Sequence, residues 1–228
     1  MKTYALIVAA GRAVRFGGAV PKQFREICGK PLLSWAISRF QQASSIDAIA
    51  VVVADEHLLH TSQKIVDPFG FTKVQKIVVG GETRQESVLK GLKSLPISTR
   101  LVAIHDGARP LTRPSDIDRV VQMAQTERAA MLAVPATDTV KRVRDGYIIG
   151  TLERDSLYLA QTPQVFDYDL IFDAHRSADA NAAFSDDASL VEARGFKVRV
   201  VEPSSPNVKV THTDDWAVVQ AFLKKETE

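Results

Sequence analysis

The stretch YALIVAAGRAVRFGGAVPKQF, residues 4–24, joins an apolar run to a glycine-rich basic loop. The apolar residues 4–8 predict a strand that is buried on both faces. The loop after it contains Gly11, Gly17 and Gly18 together with Arg15 and Lys22. Glycines permit unusual backbone angles, and N–H groups between a strand and a helix can point at a phosphate. The stretch therefore predicts an anion site, with a solvated basic surface loop as the alternative.

Length and composition are those of a globular protein with a substantial core. The chain has 228 residues, 45% hydrophobic residues and a net charge of +2, so no general attraction to nucleic acid or membrane is expected. Its only cysteine, Cys28, excludes an intramolecular disulfide and favours a reducing compartment. The apolar run near the N-terminus is too short for a signal-peptide core or a membrane span. We therefore expect a cytoplasmic protein.

Strand and helix patterns alternate along the chain. This alternation predicts an α/β fold, a Rossmann-like, doubly wound, mostly parallel sheet with helices on both faces. Ligands of such sheets bind at the carboxyl ends of the strands. The strand candidates are residues 4–8, 48–54, 74–79, 101–104, 130–134 and 197–201. The helix candidates are residues 31–42, 56–66, 83–95, 114–128, 168–178, 186–194 and 214–225.

One segment, residues 138–158, interrupts this alternation. Asp145 and Gly146 form a strong hairpin-turn pattern between two β-prone runs. We expect a single domain over residues 1–228, from which this segment protrudes as a β-hairpin arm. An isolated hairpin is marginally stable in water. The arm must therefore pack on its own domain or on a second subunit, and the residues leave both open.

Other loops after strand candidates also carry polar groups. A glycine pair precedes a helix that contains Ser87 in its first turns. Asp106 is the first acidic residue after a buried strand, which suits a divalent metal ligand or, alternatively, a turn cap. Late in the chain, Lys209 and Thr211 precede a helix that Thr213 could cap.

Familiar motifs of other chemistries are missing or broken. A P-loop needs Gly-Lys-Ser/Thr, but Lys30 is followed by Pro31, and the dinucleotide fingerprint from Gly11 meets Ala13 and Phe16. No G-x-S-x-G stretch is present, and Cys28 has no evident base. His57 and His60 have no third ligand nearby, which argues against a zinc site.

The loops in this order resemble the 2-C-methyl-D-erythritol 4-phosphate cytidylyltransferases, over nearly the whole chain. AAG alone is shared by many sugar nucleotidyltransferases, whereas the full series is specific. The matching pieces are AAG…R…PKQ, GGETRQESV, HDGARP, DTVKR, ERDSLYLAQTPQ, SDDASLVE and NVKVT.

The resemblance implies transfer of CMP from CTP to the sugar-alcohol phosphate, with Mg²⁺ as cofactor and Asp106 as its ligand. It further implies a homodimer in which the arm reaches the partner's site. The implied catalytic residues are Arg15, Lys22, Arg154 and Lys209. The implied nucleotide-binding residues are Ala9, Ala10, Gly11, Gly81, Glu82, Ser87, Asp106 and Gly107. The implied acceptor-binding residues are Arg109, Thr139, Arg154, Ser185, Lys209 and Thr211.

Three positions depart from the family pattern. Ala13 stands where glycine is usual, Glu82 where aspartate is common, and Ser185 where threonine is common. These changes affect geometry, not the class of reaction. Some relatives carry a fused second enzyme of the pathway, which we do not expect in a chain ending at Glu228.

Each assignment has a plainer alternative. Arg154 could be a surface ion-pair residue, Lys209 an exposed lysine, and Thr139 a residue chosen for strand propensity. Trp35 and Trp216 fall on helix candidates and are expected in the core instead of stacking on a base. Rival functions are cytidylyl transfer to another polyol phosphate such as ribitol 5-phosphate, and nucleotide binding without catalysis. A dehydrogenase is disfavoured because no intact dinucleotide fingerprint is present.

Overall fold

The computed structural model describes residues 2–11, 16, 20–179 and 184–227. A mixed seven-stranded sheet forms its centre, in the order β11-β7-β10-β6-β1-β4-β5, and two short two-stranded sheets accompany it. The strands are β1 (Lys2–Val8), β2 (Glu26–Ile27), β3 (Lys30–Pro31), β4 (Ala48–Val53), β5 (Val74–Val79), β6 (Thr99–Asp106), β7 (Ala129–Pro135), β8 (Lys141–Arg144), β9 (Tyr147–Thr151), β10 (Tyr158–Asp167) and β11 (Arg199–Val201).

Helices cover both faces of this sheet, as the alternating pattern predicts. They are α1 (Leu32–Gln42), α2 (Leu58–His60), α3 (Arg84–Ser94), α4 (Pro114–Glu127), α5 (Tyr168–Arg176), α6 (Asp187–Glu192) and α7 (Thr213–Thr227). The α2 turn continues as a π-helical stretch over Thr61–Val66, so the predicted helix 56–66 is irregular. Among the described residues, none of the helices combines the length and the hydrophobicity that a membrane span requires.

Strand side chains alternate between two hydrophobic clusters. In β1, Ala5 and Ile7 pack with α1 and α4, whereas Tyr4 and Leu6 pack with α3, α5 and α6. Because successive side chains of a strand point to opposite faces, one apolar run supplies both layers. This confirms the α/β fold class.

A third cluster lies beside the sheet, where α7 packs against α1 and the β2–β3 ribbon. Trp35 is 7% exposed, and its Nε1–H donates to the Ile27 carbonyl at 2.8 Å. Trp216 packs against Phe16, with the ring centroids 5.6 Å apart. Both tryptophans therefore contribute to packing.

Strand β10 is the main element that the sequence patterns miss. It lies between β6 and β7 and runs antiparallel to both. Pro163 lies inside it, and proline normally argues against a central strand because it cannot donate a ladder hydrogen bond. The register shift between Ala160 and Gln164 in the pairing with β7 removes Pro163 from the ladder.

The hairpin of β8 and β9 forms at the predicted turn. Asp145 has φ 51° and Gly146 has φ 82°, the positive angles that a tight two-residue hairpin turn requires. The hairpin's Val143, Tyr147 and Ile148 are all exposed. The hairpin thus presents an apolar surface that the described residues of this chain leave exposed.

Candidate active site

The order of the strands fixes where a ligand can bind. From β1 the chain proceeds outward to β4 and β5, and then returns to β6 on the other side of β1. Val8 and Asp106 are in register at the carboxyl ends of β1 and β6, and Gly107 N–H donates to the Val8 carbonyl at 2.9 Å. A crevice opens at such a reversal of strand order, and it is the usual ligand site of an open α/β sheet.

A cleft of about 320 Å³ lies at this reversal. The structure brings into its wall ten of the residues that the sequence predicts: Ala9, Ala10, Gly11, Lys22, Gly81, Glu82, Ser87, Asp106, Gly107 and Lys209.

One wall is the turn that leads into α3. Thr83 caps the helix by accepting from the Glu86 N–H at 3.1 Å, and Ser87 Oγ accepts from the Gly81 N–H at 3.0 Å. A Cβ on Gly81 would lie 2.4 Å from the Cβ of Glu86. This wall therefore consists of backbone that only glycine allows to pack so closely.

The opposite wall is held by Gln23, whose role the sequence analysis missed. Its Nε2 donates to the carbonyls of Ala9 at 2.9 Å and Gly11 at 3.0 Å. The neighbouring Lys22 Nζ donates to the Val210 carbonyl at 2.6 Å. Gln23 therefore fixes the backbone after β1 and brings Lys22 to the cleft.

Asp106 is the centre of the site's electrostatics. Its Oδ2 lies 2.6 Å from Lys209 Nζ, and its Oδ1 accepts from Arg84 Nε at 3.2 Å. Burial raises the pKa of Asp106, but Arg84 and Lys209 outweigh burial and hold that pKa well below the usual aspartate range. The site thus presents a permanently ionised carboxylate between two cations. Arg84 is the second residue that sequence reasoning missed.

Buried hydrogen bonds hold the backbone around Asp106 in place. Thr162 Oγ1 accepts from the Asp106 N–H at 3.0 Å and contacts His105 Nδ1 at 3.0 Å. His105 Nε2 lies 3.0 Å from the Arg109 carbonyl. Burial lowers the pKa of His105 to about 4, so the imidazole is neutral near neutral pH. A neutral ring can donate from Nε2 and accept at Nδ1, which satisfies both contacts.

A second groove adjoins the cleft and shares Arg84, Asp106 and Lys209 with it. Arg109 and Ser185 line this groove. The guanidinium of Arg109 donates to the Asn207 carbonyl at 2.6 Å, and burial lowers its pKa. The cleft and the groove are therefore lined in common by the charged side chains of Arg84, Asp106 and Lys209.

Of the remaining predicted residues, those that the structure describes lie outside both cavities. Arg154 donates to the Thr137 carbonyl at 3.0 Å, in a separate hollow formed by residues 135–137 and 154–155, and Thr139 is exposed. Thr211 N–H donates to Asp215 Oδ2 at 2.7 Å at the start of α7. Arg15 lies outside the described residues, as do Ala13, Gly17 and Gly18.

No group of three or more histidine, cysteine or acidic side chains suited to a metal occurs in the described part of the chain. His57 and His60 instead contact the ring of Phe24, with centroids 4.6 and 4.9 Å away. The described lining of the cleft has two acidic side chains: Glu82, which is exposed, and Asp106, which the resemblance implies as the metal ligand. A single carboxylate fits Mg²⁺ bound mainly through substrate phosphates, because that ion often takes one or two carboxylates and leaves its other positions to phosphate and water.

A mixed α/β sheet with a cationic cleft at its reversal is suited to binding a nucleotide, and the comparisons with known proteins identify the chain as a nucleotidyltransferase. The family model IspD, 2-C-methyl-D-erythritol 4-phosphate cytidylyltransferase, matches residues 3–225, and the chain belongs to this family.

Several named relatives match nearly the whole of this chain. The 2-C-methyl-D-erythritol 4-phosphate cytidylyltransferase of Pelotomaculum thermopropionicum is 43% identical over 225 residues, which cover 98% of this chain and 94% of that protein. The bifunctional enzyme IspD/IspF of Desulforudis audaxviator is 42% identical, over 97% of this chain and 56% of that protein. Among solved structures, the 4-diphosphocytidyl-2C-methyl-D-erythritol synthase of Anaerococcus prevotii has a TM-score of 0.86 at 28% identity, over 98% of this chain and 96% of that one.

Proposed function

We propose that the protein transfers CMP from CTP to 2-C-methyl-D-erythritol 4-phosphate and releases pyrophosphate. The observation that carries this proposal is the convergence of Lys22, Lys209 and Arg84 on one cleft whose other walls are close-packed backbone. Backbone of this kind suits a nucleoside, and the cations suit phosphates.

In this reaction an oxygen of the acceptor phosphate attacks the α-phosphorus of CTP. A new phosphorus–oxygen bond forms, the bond from the α-phosphorus to the bridging oxygen breaks, and pyrophosphate leaves with the electron pair. Both reactants are anions, so positioning and charge stabilisation dominate catalysis. An acceptor phosphate is already ionised near neutral pH and needs no general base.

The predicted residues divide this work. We assign Arg15 and Lys22 to the charge on the transferred and departing phosphates, and Ala9–Gly11, Gly81, Glu82, Ser87 and Gly107 to the nucleoside. Arg109, Ser185, Lys209 and Thr211 are assigned to the acceptor side. Mg²⁺, held through Asp106, would offset the charge of the triphosphate. Arg84 and Lys209 keep the Asp106 carboxylate ionised and oriented.

We further infer that two copies of the chain pair through the arm, residues 138–158. Tyr147, Ile148 and Val143 are 77%, 65% and 56% exposed, an apolar surface that a partner would cover. Arg154 and Thr139 lie apart from this chain's own cleft. In a dimer they would act in the partner's cleft, Arg154 on the acceptor phosphate. The single domain and the cytoplasmic location stay predictions.

The test is pyrophosphate release by purified protein supplied with CTP and one acceptor at a time. We expect release with 2-C-methyl-D-erythritol 4-phosphate and Mg²⁺, and loss of release when EDTA removes the metal. Release with ribitol 5-phosphate alone would overturn the acceptor assignment. CTP binding in a titration without turnover on either acceptor would support the non-catalytic alternative.

Two variants test the residue roles. Lys22→Gln should lower kcat by about 10²–10³-fold, by analogy with removal of one preorganised charge-stabilising donor. Arg154→Gln should raise the KM for the acceptor more than the KM for CTP. If the cleft is shared across a dimer, mixing the two impaired variants under conditions of subunit exchange, at an acceptor concentration where both are slow, should raise activity above that of either variant alone. Light scattering that reports a monomer would refute the arm's role.

A further inference from the structure

A line of ionisable side chains, partly exposed at the cleft and buried at Asp187 and His175, extends from the site into the body of the protein. Arg84, the first residue of α3, donates from Nε to Asp106 Oδ1 at 3.2 Å, and its NH2 nitrogen lies 2.8 Å from Asp187 Oδ2. The other oxygen of Asp187 lies 3.0 Å from His175 Nε2.

Asp187 is a buried carboxylate that does not serve as a helix cap. Its side chain is 1% exposed, and a buried carboxylate requires a partner. It does not cap α6, because Asp186 already accepts from the Ser189 N–H at 3.0 Å. Burial raises the pKa of Asp187, but Arg84 and His175 outweigh burial and lower it, so the carboxylate is ionised. Its charge faces Arg84.

The orientation of the Arg84 guanidinium decides which cavity its charge faces. It lines both the cleft and the adjoining groove, so its guanidinium lies at the border of the two cavities. Its side chain is 33% exposed and would otherwise have many rotamers. Two carboxylates on different elements, β6 and α6, hold the planar group by two of its nitrogens. Arginine can bridge two acceptors in this way, whereas lysine is a point charge.

We propose that Asp187 is a positioning residue for phosphate transfer, acting through Arg84. It fixes the guanidinium at the border between the two phosphate-bearing substrates and keeps the Asp106 carboxylate in its orientation. This inference rests on the proposed function. His175 holds the far oxygen of Asp187 and completes the support.

A double-mutant cycle tests this coupling. Asp187→Asn keeps the shape of the side chain and removes its charge, and we expect it to lower kcat about 10–100-fold, as small misplacements at a reacting centre do. Arg84→Gln should lower kcat at least as much. The double variant should match Arg84→Gln alone, because Asp187 acts only through Arg84. If the decreases in kcat of the two single variants multiply in the double variant, Asp187 acts independently of Arg84, and the proposal is overturned.

A second variant guards against a folding defect. Arg84→Lys keeps the charge but cannot bridge both carboxylates, so it should lose kcat while thermal unfolding stays close to that of the wild type. Wild-type kcat in this variant would also overturn the proposal. The matched control is Asp118→Asn, an aspartate that accepts from Ser44 and Ser45 near the opposite end of β4 and should leave kcat unchanged.

A crystal structure of Asp187→Asn gives a readout that needs no turnover. We expect the Arg84 guanidinium to leave its position against Asp106, and an unchanged Arg84 would overturn the proposal. If the wild type releases no pyrophosphate from CTP and acceptor, the proposed function fails whatever Arg84 does. If the wild type is active and Arg84 does not move, the positioning role alone fails.

Discussion

Gln23 offers a sharp test of how the cleft is built. The residue is 5% exposed, and its amide nitrogen donates to the carbonyls of Ala9 and Gly11. Gln23→Met removes both hydrogen bonds and leaves the buried Ala9 carbonyl without that donor. An unsatisfied buried group costs about 1–3 kcal/mol, and a net hydrogen bond about 1 kcal/mol. We therefore expect Gln23→Met to lose roughly 2–3 kcal/mol of unfolding free energy.

Gln23→Glu should be worse, although glutamate is closer to glutamine in shape. It places a carboxylate oxygen against two carbonyl oxygens, so the group must be buried uncompensated or take up a proton. Urea unfolding at pH 7.5 measures the stability of both variants. Pyrophosphate release measures kcat/KM for CTP, which we expect to fall about tenfold as the backbone after β1 shifts.

The control is Gln41→Glu, on the surface. Gln41 Nε2 donates to Thr72 Oγ1, an exposed contact, and its Oε1 accepts from the Lys73 N–H, which glutamate can still do. This variant should stay within about 0.5 kcal/mol of the wild type. If Gln23→Glu proves as stable as the wild type, or more stable than Gln23→Met, Gln23 does not hold the cleft through its amide nitrogen.

Two further predictions concern the core beneath the site. The folded pKa of His105 is about 4, below the ordinary value of 6.5, so its stabilising contribution is complete above pH 6.5 and is lost as the pH falls toward 4. The unfolding free energy of the wild type, measured in urea, should therefore fall by about 2 kcal/mol between pH 7.5 and 5 because of this residue. The unfolding free energy of His105→Gln should depend less on pH by that amount. An equal pH dependence in the two proteins would contradict this prediction. Gly91→Ala would place a Cβ 2.5 Å from Leu6 Cδ1. Overpacking of about 1–3 kcal/mol should exceed the helix-propensity gain of up to about 1 kcal/mol, so the melting temperature should fall, and an increase would show that Leu6 repacks freely.

Much of the architecture was predictable because its causes are local. The apolar run of β1 and the glycines after it predict a buried strand followed by a tight loop. Asp106 was singled out because a polar acid directly follows a buried run, and it lies at the carboxyl end of β6. The hairpin turn requires positive φ angles at Asp145 and Gly146, and this pair of residue types is typical of such a turn. In each case neighbours along the chain carry the information.

The parts that were missed depend on distant partners. Arg84 meets Asp187 from the far end of the chain, and in sequence it cannot be told from a solvated arginine. Gln23 looks like any polar residue until its amide reaches the carbonyls after β1. Pro163 argues against a central strand, and only the shifted register with β7 explains why β10 tolerates it. Tertiary contacts override local preference at all three places.

The position of β10 also constrains the order in which the sheet can assemble during synthesis. Strands β1, β4, β5 and β6 pair with one another in parallel, and the ribosome makes all of them before Gly107. Strand β7 joins them only through β10, so the edge of β7 that pairs with β10 stays open until Asp167 has been translated, and its other edge stays open until β11 has been made. Unpaired apolar edges of this kind are prone to aggregate. A nascent chain that stalls within the arm would therefore be the form most in need of a chaperone.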